Sequence, residues 1–407
     1  MTRSNDLEDL EDLGDLGDLV SRWDMYDPDH EKVRWDVLAH AREHRPVPYT
    51  SGAGGFYLVT RFDDVRRVLQ DWETFSSTEG LPTPMPIRLC PIDADPPLHT
   101  DLRNLLNPLF SRSYLLRYEP FIRSTAAKLV ENWAERGQVE LIGEFAAPFV
   151  GEVLMEIVMG SMQPEERKHA QDVVIGCTHH PSPEHFAALA QLSAQRLEHS
   201  AANPDDARGV FKALITATSQ GRPLTPEERL GVLNILFLGG LDTTRAAISM
   251  MALRLAQDPS LEERIRNPDW VKRDLDEFLR IDSPVATFAR VATRDVELSG
   301  QKIRKGERLL IRYDSANRDD HRFPDADQLV FDPGLRPSNA AFGVGIYRCL
   351  GAQLARLQIP IAWEEIFKRV TGFRMAGDAS DLVWEPGIAN GPTTVPLRFD
   401  SLEESDR

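Results

Sequence analysis

The glycine-rich turn at residues 341–351 places a single cysteine, Cys349, in front of a predicted amphipathic helix. Its glycines, Gly343, Gly345 and Gly351, can take left-handed backbone conformations and lie against a flat macrocycle. Main-chain amides at a helix N-terminus stabilise a thiolate, so Cys349 can stay anionic beside a metal. The turn therefore predicts one thiolate ligand to a haem iron, a ligand that favours O–O bond cleavage. The alternative is a buried structural cysteine in a glycine turn.

Residues 238–244 place two adjacent glycines, an acid and two hydroxyls in the middle of a long predicted helix. Each glycine there costs on the order of 1 kcal/mol relative to alanine, so the pair needs a reason. Gly239 and Gly240 would let a ligand approach the backbone, and Thr243 can donate to the Gly239 carbonyl and open the helix into a groove. Asp242 and Thr243 beside such a groove form a proton-delivery pair. A packing notch against another helix is the alternative.

Three cations are candidates for binding carboxylates. His99 and Arg103 are four residues apart on a predicted helix and therefore lie on one face, where two donors could grip carboxylates. Arg290, which precedes a predicted hairpin, is the third candidate. An ordinary surface pair is the alternative for each of them.

A further acid–base group lies near residue 280. Glu277 and Arg280 are three residues apart on a helix predicted over 271–281, and Arg336 could join them. Helical spacing alone usually indicates a solvated ion pair, worth under about 1 kcal/mol. The spacing therefore leaves open whether this group is solvated or buried.

The helix that must carry the glycine pair begins with strong signals. Thr225 as N-cap, Pro226 at the first position and Glu228 at the third form a capping box. The helix should run to about Asp258, roughly 50 Å at about 1.5 Å per residue, enough to cross the domain. Residues 232–238 are apolar nearly all round, as expected of a buried central helix.

The remaining elements are mainly helical. A polar, proline-rich loop spans residues 76–97, and apolar residues then follow helical spacing almost without a break to residue 282. Ser299-Gly300 predicts a hairpin turn. The other expected elements are strands at 55–60, 292–300 and 309–311 and a helix at 62–71. The sequence thus predicts a mostly α fold with a small β subregion.

The composition is that of a soluble globular protein, with 407 residues, 64 acidic and 47 basic side chains and 42% hydrophobic content. A net charge of −17 argues against nucleic acid and anionic membrane as partners. Cys90, Cys177 and Cys349 are too few for a disulfide framework, so a reducing cytoplasm is expected. Residues 1–20 are leucine-rich and strongly acidic, which fits neither a signal peptide nor an anchor. We expect a mobile segment or a weakly held surface helix there, and a single domain over residues 21–407.

Taken together, these segments resemble the cytochrome P-450 family of haem-thiolate monooxygenases, and the soluble bacterial camphor-hydroxylase type most of all. The resemblance covers roughly residues 20–400. Its motifs occur in the family's order: Asp95-Pro-Pro-Leu-His99-Thr-Asp-Leu-Arg103, Gly239-Gly-Leu-Asp-Thr243, Glu277-Phe-Leu-Arg280, Asn317-Arg-Asp319, Phe331-Asp-Pro333 and the Cys349 turn. The resemblance implies a cytochrome P-450 fold with a long central helix over a buried haem.

The resemblance also implies the cofactor and its contacts. Haem b is expected, with Cys349 as the proximal iron ligand. The family places propionate cations at His99, Arg103 and Arg290, and further haem contacts at Gly239, Phe342 and Tyr347. Tyr347 is a departure, because the family usually has His or Arg on a propionate at this position. A tyrosine still donates one hydrogen bond but carries no charge.

By the same likeness, the other candidate residues take catalytic and structural roles. Asp242 and Thr243 would relay protons to bound dioxygen. Glu277, Arg280 and Arg336 would form a buried network that supports the Cys349 turn. Between Asn339 and Phe342 the chain is about two residues shorter than the family's common pattern, which is a second departure.

The resemblance further implies an apolar substrate pocket. The residues expected to line it are Leu238, Ala286, Phe288, Ile388 and Ala389, with residues 76–90 and 177–185 as a lid. Because these lining residues are apolar, a small or medium hydrophobic molecule is the expected substrate.

The expected reaction is insertion of one oxygen atom from O2 into a C–H or double bond, with reduction of the other atom to water. Electrons would come from a ferredoxin and a ferredoxin reductase. The cations expected to steer an acidic ferredoxin are Arg112, Arg117, Arg348 and Arg356. One alternative is a haem-thiolate enzyme of atypical chemistry, such as peroxide use, nitration, ring closure or C–C coupling. The other alternative is a non-catalytic haem sensor or carrier, which would have little use for the Asp242–Thr243 pair.

Overall fold

The structure, a computed structural model, describes residues 15–402 apart from 86, 161–163, 180–181, 206, 268, 271–273, 333–337 and 385. The candidate Arg336 and residues 1–14 of the acidic segment therefore lie outside the described residues. The rest of that segment enters a helix from Leu16 to Arg22, in which Leu19 and Val20 are buried. Among the described residues, no helix combines the length and the apolar character that crossing a membrane would require.

The described α-helices are mostly short and accompany one long helix. In chain order they are α1 (Leu16–Arg22), α2 (Pro28–Lys32), α3 (Arg34–His44), α4 (Phe62–Gln70), α5 (Leu98–Leu106), α6 (Arg112–Leu115), α7 (Glu119–Glu131), α8 (Ala147–Val158), α9 (Pro164–His179), α10 (Pro183–Ala202), α11 (Gly209–Thr216), α12 (Pro226–Gln257), α13 (Ser260–Arg266), α14 (Leu275–Asp282), α15 (Tyr313–Ala316) and α16 (Ala352–Phe367).

The described strands are short. They are β1 (Tyr49–Thr50), β2 (Phe56–Val59), β3 (Phe75–Ser76), β4 (Gln138–Glu140), β5 (Thr218–Ser219), β6 (Arg222–Pro223), β7 (Thr287–Ala292), β8 (Val296–Leu298), β9 (Gln301–Ile303), β10 (Arg308–Arg312), β11 (Val370–Met375) and β12 (Pro396–Ser401).

The chain forms two compact units. The first consists of Met1–Pro84, Arg273–Cys349 and Trp384–Gly391. The second consists of Met85–Lys272, Leu350–Val383 and Pro392–Arg407. The single domain expected over residues 21–407 stays a prediction.

The first unit is built on a five-stranded mixed sheet with strand order β1-β2-β10-β7-β3. β2 and β10 run parallel, with Leu58 beside Leu310, whereas β10 and β7 are antiparallel. Along β10, Leu309 and Ile311 join one buried cluster and Leu310 joins another, as the two-residue period of a strand requires. Both faces of the sheet are therefore packed, which fixes the register of its strands.

The second unit is organised around α12, which begins and ends where the capping signals predict. The Thr225 hydroxyl accepts from the Glu228 amide at 3.2 Å, and the Glu228 carboxylate accepts from the Thr225 amide at 2.8 Å. α12 packs against α8, and α7 packs against α16. A three-stranded sheet in the order β11-β12-β4 completes this unit.

The sequence interpretation missed several short strands. β4, β5 and β6 interrupt the region expected to be helical up to residue 282, and β11 and β12 follow the last expected strand. β12 pairs with both β11 and β4, placing Leu397 beside Val139. Because these strands are defined by pairing between distant segments, local periodicity carries little signal for them. The Ser299-Gly300 hairpin is confirmed, with φ of 46° and 79° at its two turn residues.

Candidate functional site

The Cys349 turn is held by its own backbone. Gly343 and Gly345 have φ of 68° and 73°, and the Cys349 amide donates to the Phe342 carbonyl at 2.8 Å. A Cβ on Gly345 would lie 2.9 Å from the Leu69 carbonyl oxygen, so only glycine fits there. Cys349 is exposed, and α16 begins at Ala352. The expected glycine conformations are thus confirmed at these two positions.

The expectation for the third glycine of the turn was wrong. Gly351 has φ of −78°, which is outside the left-handed region. It acts as the N-cap of α16. The N-cap position, where glycine is tolerated, therefore explains the glycine at residue 351 better than a left-handed conformation does.

A buried arginine lies beside this turn in the first unit. Arg290, on β7, is 2% exposed, and its guanidinium carbon is 4.7 Å from the centre of the Tyr347 ring. Its Nη1 donates to the Ala289 carbonyl at 2.7 Å, while its buried Nε has no hydrogen-bond partner among the described residues. Burial raises the pKa of Tyr313, with Arg290 opposing this shift and Cys349 reinforcing it. These groups therefore share one electrostatic environment.

Tyr347 thus has a contact that the sequence did not indicate. Its ring lies against Arg290 in a cation–π arrangement, and such an interaction strengthens when the cation is shielded from water. The tyrosine that replaces the family's usual cation therefore packs against a cation on a neighbouring strand.

Glu277 and Arg280 form a buried pair, with side chains 4% and 1% exposed. Two guanidinium nitrogens of Arg280 donate to the two oxygens of Glu277, each at 2.8 Å. The remaining donors reach the main-chain carbonyls of Asn317 at 2.6 Å, Ala326 at 2.7 Å and Gln328 at 2.7 Å. The Val330 amide also donates to Glu277 at 2.8 Å. All five guanidinium hydrogens therefore have acceptors, and the solvated alternative is wrong.

This pair connects to the segment that leads into the Cys349 turn. Asn317, whose carbonyl accepts from Arg280, also accepts from the Ala340 amide at 2.7 Å through its side-chain oxygen. Asn339 donates to the Asp276 carbonyl at 2.9 Å. Arg336, the third expected member of this network, lies outside the described residues.

In the second unit, α12 is buried on most sides but has a stripe of partly exposed residues in its middle. The stripe consists of Ile235, Leu238, Gly239, Gly240, Asp242 and Thr243. The Thr243 hydroxyl donates to the Gly239 carbonyl at 3.1 Å, which is the bond expected from the sequence. The helix nevertheless runs unbroken from Pro226 to Gln257, so the expectation that this bond opens the helix was wrong.

The two glycines of this stripe have different surroundings. A Cβ on Gly240 would lie 2.9 Å from Leu154 Cδ1, so this glycine is a packing notch for α8. A Cβ on Gly239 would meet only Ile235 at 3.6 Å, an ordinary contact, and Gly239 is exposed. Packing thus explains Gly240 but leaves Gly239 available for a ligand.

Asp242 has an ion-pair partner that the sequence interpretation missed. Arg245 Nε and Nη2 contact the same oxygen, Asp242 Oδ1, at 3.0 and 2.8 Å. Arg245 is 1% exposed, whereas Asp242 is 18% exposed. Arg245 also donates to the Pro392 carbonyl at 3.3 Å. The spacing of three residues on a helix was the available signal for this pair.

His99 and Arg103 lie on the same helix, α5, as expected. His99 is 2% exposed, and Arg103 is partly exposed and donates to Asn107 at 3.1 Å through its Nε. The buried position of His99 does not match an ordinary surface pair.

Four of the five expected pocket residues belong to the first unit, and three of them, Ala286, Ile388 and Ala389, lie side by side. Phe288 and Ile388 pack against different buried clusters of the sheet. The Ala286 amide donates to the Ile388 carbonyl at 2.8 Å, and Val285 and Ala389 form an antiparallel bridge. Phe288 makes an edge contact with Tyr313 at 6.2 Å between ring centres. Leu238 is on α12 in the second unit.

Of the segments expected to form a lid, residue 86 and residues 180–181 lie outside the described residues. α9 ends at His179 and α10 begins at Pro183. The role of these segments as a lid stays a prediction.

The α-rich fold and the glycine turn around one cysteine define a haem-thiolate protein. Residues 271–374 match the family model described as Cytochrome P450. The chain is 34% identical over 340 residues to a probable cytochrome P450 127A1 of Sinorhizobium fredii, covering 80% of this chain and 79% of that protein. This chain belongs to the cytochrome P450 family.

Two further relatives agree with this assignment. A steroid C26-monooxygenase of Mycolicibacterium smegmatis is 28% identical over 381 residues, covering 91% of this chain and 92% of that protein. The crystal structure of CYP108D1 from Novosphingobium aromaticivorans superposes with a TM-score of 0.82 at 25% identity, covering 95% of this chain and 98% of that one. The expected P450 fold, the haem b cofactor and the monooxygenase class are confirmed.

Proposed function

We propose that this enzyme binds haem b through the thiolate of Cys349 and inserts one oxygen atom from O2 into a small or medium hydrophobic substrate. The observation that carries this proposal is the Cys349 turn, where two glycines with positive φ present an exposed cysteine at the start of α16. A thiolate-ligated haem supplies dioxygen binding and a bias towards O–O cleavage.

The described residues fit this cofactor. Arg290 has a buried Nε with no acceptor among the described residues, and a carboxylate such as a haem propionate would satisfy it. His99 and Arg103 are the other cations assigned to the propionates. Phe342, Tyr347 and Gly239 are assigned to contacts with the ring.

Asp242 and Thr243 are proposed to deliver protons. Asp242 is partly exposed and can exchange protons with water, and Arg245 holds one of its oxygens. The Thr243 hydroxyl donates to Gly239 and can still accept through its oxygen. In this role Asp242 would pass a proton from water to the Thr243 oxygen, and Thr243 would pass its own hydroxyl proton to dioxygen.

A hydrophobic substrate is supported by the character of the assigned pocket residues. Phe288, Ile388 and Ala389 are partly exposed and apolar. Leu238 and Ala286 add no polar side chain. A steroid, the substrate named for the M. smegmatis relative, is also hydrophobic.

A ferredoxin, reduced by a ferredoxin reductase, is the proposed electron donor. Arg112 and Arg117 are exposed on either side of Leu116, an apolar residue that is 42% exposed. α6, which carries Arg112, packs against α16, which carries Arg356. Arg348, next to Cys349, is also exposed. Because the net charge of −17 repels an acidic partner, such local cations would have to steer it.

Charge reversal tests this docking proposal. Arg112→Glu should slow first-electron reduction by an acidic ferredoxin about fivefold at low salt, and the difference should shrink as salt screens the charges. Lys212→Glu, at an exposed position on α11, changes the net charge equally and should have little effect. Equal rates for Arg112→Glu and Lys212→Glu would contradict docking at Arg112. A cytoplasmic location, inferred from the cysteine content, stays a prediction.

Removal of the thiol tests the proposed ligand. Cys349→Ser should abolish the thiolate signature of the reduced carbon-monoxide complex, because serine offers no thiolate. Cys90→Ser should leave that signature intact, since Cys90 is buried and burial strongly raises the pKa of its thiol. A thiolate signature that survives in Cys349→Ser and disappears in Cys90→Ser would overturn the assignment.

A further inference from the structure

Asn390 is buried in the first unit, at 2% exposed, and both polar groups of its side chain and its main-chain amide form hydrogen bonds. Its side-chain nitrogen donates to the carbonyls of Asp282 at 2.6 Å and Ser283 at 3.3 Å. Its side-chain oxygen accepts from Arg34 at 2.9 Å, and its amide donates to the Pro284 carbonyl at 3.0 Å. An asparagine alone among residues of this size combines such donors and acceptors.

These bonds fix the segment that precedes Asn390. The Ala286 amide donates to the Ile388 carbonyl, and Ala389 bridges Val285. This is a two-residue contact, too short to be stable as a strand pair by itself. The bonds of Asn390 therefore add to the packing of Ile388 on a buried cluster in holding Ile388 and Ala389 against residues 285–286.

The partner segment is itself rigid. Ser283 is fully buried and has φ of 43°, a left-handed conformation that costs free energy for a non-glycine residue. Its hydroxyl donates to the Arg280 carbonyl at 2.8 Å and accepts from Asn317 at 2.9 Å. Arg280 and Asn317 belong to the buried Glu277 network. Asn390 thus ties Ile388 and Ala389 to this buried network.

We propose that Asn390 is a positioning residue that sets the substrate specificity of this enzyme by fixing the main chain of Ile388 and Ala389. The proposal rests on the proposed function, in which these two residues contact the substrate. Asn390 acts through its side-chain nitrogen, which holds the carbonyls of Asp282 and Ser283. It does not contact the substrate itself, because it is buried among protein groups.

Two haem ligands separate this role from a general loss of structure. Imidazole and 4-phenylimidazole share the nitrogen that binds haem iron, and they differ by one apolar ring. In Asn390→Ala holoenzyme, the dissociation constant of 4-phenylimidazole should rise about tenfold, because part of the binding free energy from burying the phenyl ring is lost. The dissociation constant of imidazole should change less than about twofold. The exposed Asn132→Ala is the control, and it should leave both dissociation constants unchanged.

Asn390→Asp sharpens the assignment. Aspartate keeps the acceptor for Arg34 but places an oxygen against the carbonyls of Asp282 and Ser283, so it should behave like the alanine variant. Asn390→Ser, whose hydroxyl can donate to one carbonyl, is the milder variant and should show a smaller loss. It carries the test if the other two variants do not load haem.

Hydrogen exchange of the holoenzyme gives a second measurement. In the Asn390 variants, the amides of Ala286 and residue 390 should lose protection, while the Ala340 amide, which donates to Asn317, should not. An unchanged ratio of the two dissociation constants with unchanged exchange would overturn the proposal. A wild-type protein without a haem signal would instead contradict the proposed function. If the wild type does not bind 4-phenylimidazole more tightly than imidazole, Ile388 and Ala389 do not contact the ligand, and the proposal fails.

Discussion

Two acid–arginine pairs in this enzyme have the same spacing and different surroundings. Glu277 and Arg280 use both carboxylate oxygens and all five guanidinium hydrogens, and both side chains are buried. In the pair of Asp242 and Arg245, the arginine is buried and contacts Oδ1 of a carboxylate that is 18% exposed. Equal spacing along a helix therefore gives a fixed scaffold in one region and a carboxylate that keeps access to water in the other.

The largest expected effect comes from breaking the scaffold pair. Glu277→Ala should lower the free energy of unfolding by about 3–5 kcal/mol, because it leaves Arg280 charged and unpaired in the interior. Little haem-loaded protein should accumulate. Urea unfolding and the haem-to-protein ratio measure the two effects, and normal haem loading would argue that the pair is dispensable.

Asp242→Asn should behave in the opposite way. Its amide oxygen can still accept from Arg245, so stability should change by less than about 1 kcal/mol and haem should load normally. Coupling of NAD(P)H use to product should fall, with more reducing equivalents released as hydrogen peroxide, because the amide cannot pass on a proton. Coupling equal to that of the wild type would remove Asp242 from proton delivery.

The adjacent glycines of α12 provide the next comparison. Gly240→Ala should lower stability by about 1 kcal/mol, since the strain of crowding Leu154 exceeds the gain in helix propensity. Gly239→Ala should raise the stability of the haem-free chain by up to about 1 kcal/mol, because the added methyl meets only Ile235. Thermal unfolding of both haem-free variants measures these changes in stability. Changes of the same sign would show that the two glycines do not differ in their surroundings.

The smallest effect should come from a third acid–arginine pair, at the start of α12. The Arg222 guanidinium holds the pKa of Glu228 at about 2, below its ordinary value of 4.5. Because the folded-state pKa is lowered, this stabilisation is present above about pH 4.5 and is lost as the pH falls towards 2. Glu228→Gln should lower the free energy of unfolding by about 0.5 kcal/mol at neutral pH, because glutamine keeps the capping bond but loses the charge beside Arg222. Urea unfolding at several pH values should show the difference shrinking below pH 4.5, and a difference that grows there would contradict the sign.

Local signals explain which features could be predicted from the sequence. The start of α12 follows from Thr225, Pro226 and Glu228, which act on neighbouring backbone groups. The conformations of Gly343 and Gly345 have positive φ, which glycine adopts without steric cost. Features of this kind depend on residues close in sequence, so the sequence carries them directly.

The features that were missed depend on contacts between distant residues. Arg290 and Tyr347 meet only because β7 and the Cys349 turn are neighbours in the folded first unit. The hydrogen bonds of Asn390 likewise depend on Arg34 and on carbonyls near residue 283. Spacing also could not separate the buried Glu277–Arg280 pair from a solvated one, because burial is set by the elements packed around it.

The sheet of the first unit has a consequence for the order of events during synthesis. β2 pairs in parallel with β10. Tyr57 therefore cannot pair with Leu309 until Leu309 has been synthesised. The segment that contains Asn390 leaves the ribosome later still. β1 and β2 can pair early, but the edge of β2 that β10 covers stays open until β10 has been made, and the first unit is complete only after residues 384–391 have followed. Much of the second unit precedes those late segments, so its long helix can form before β2 and β10 have paired.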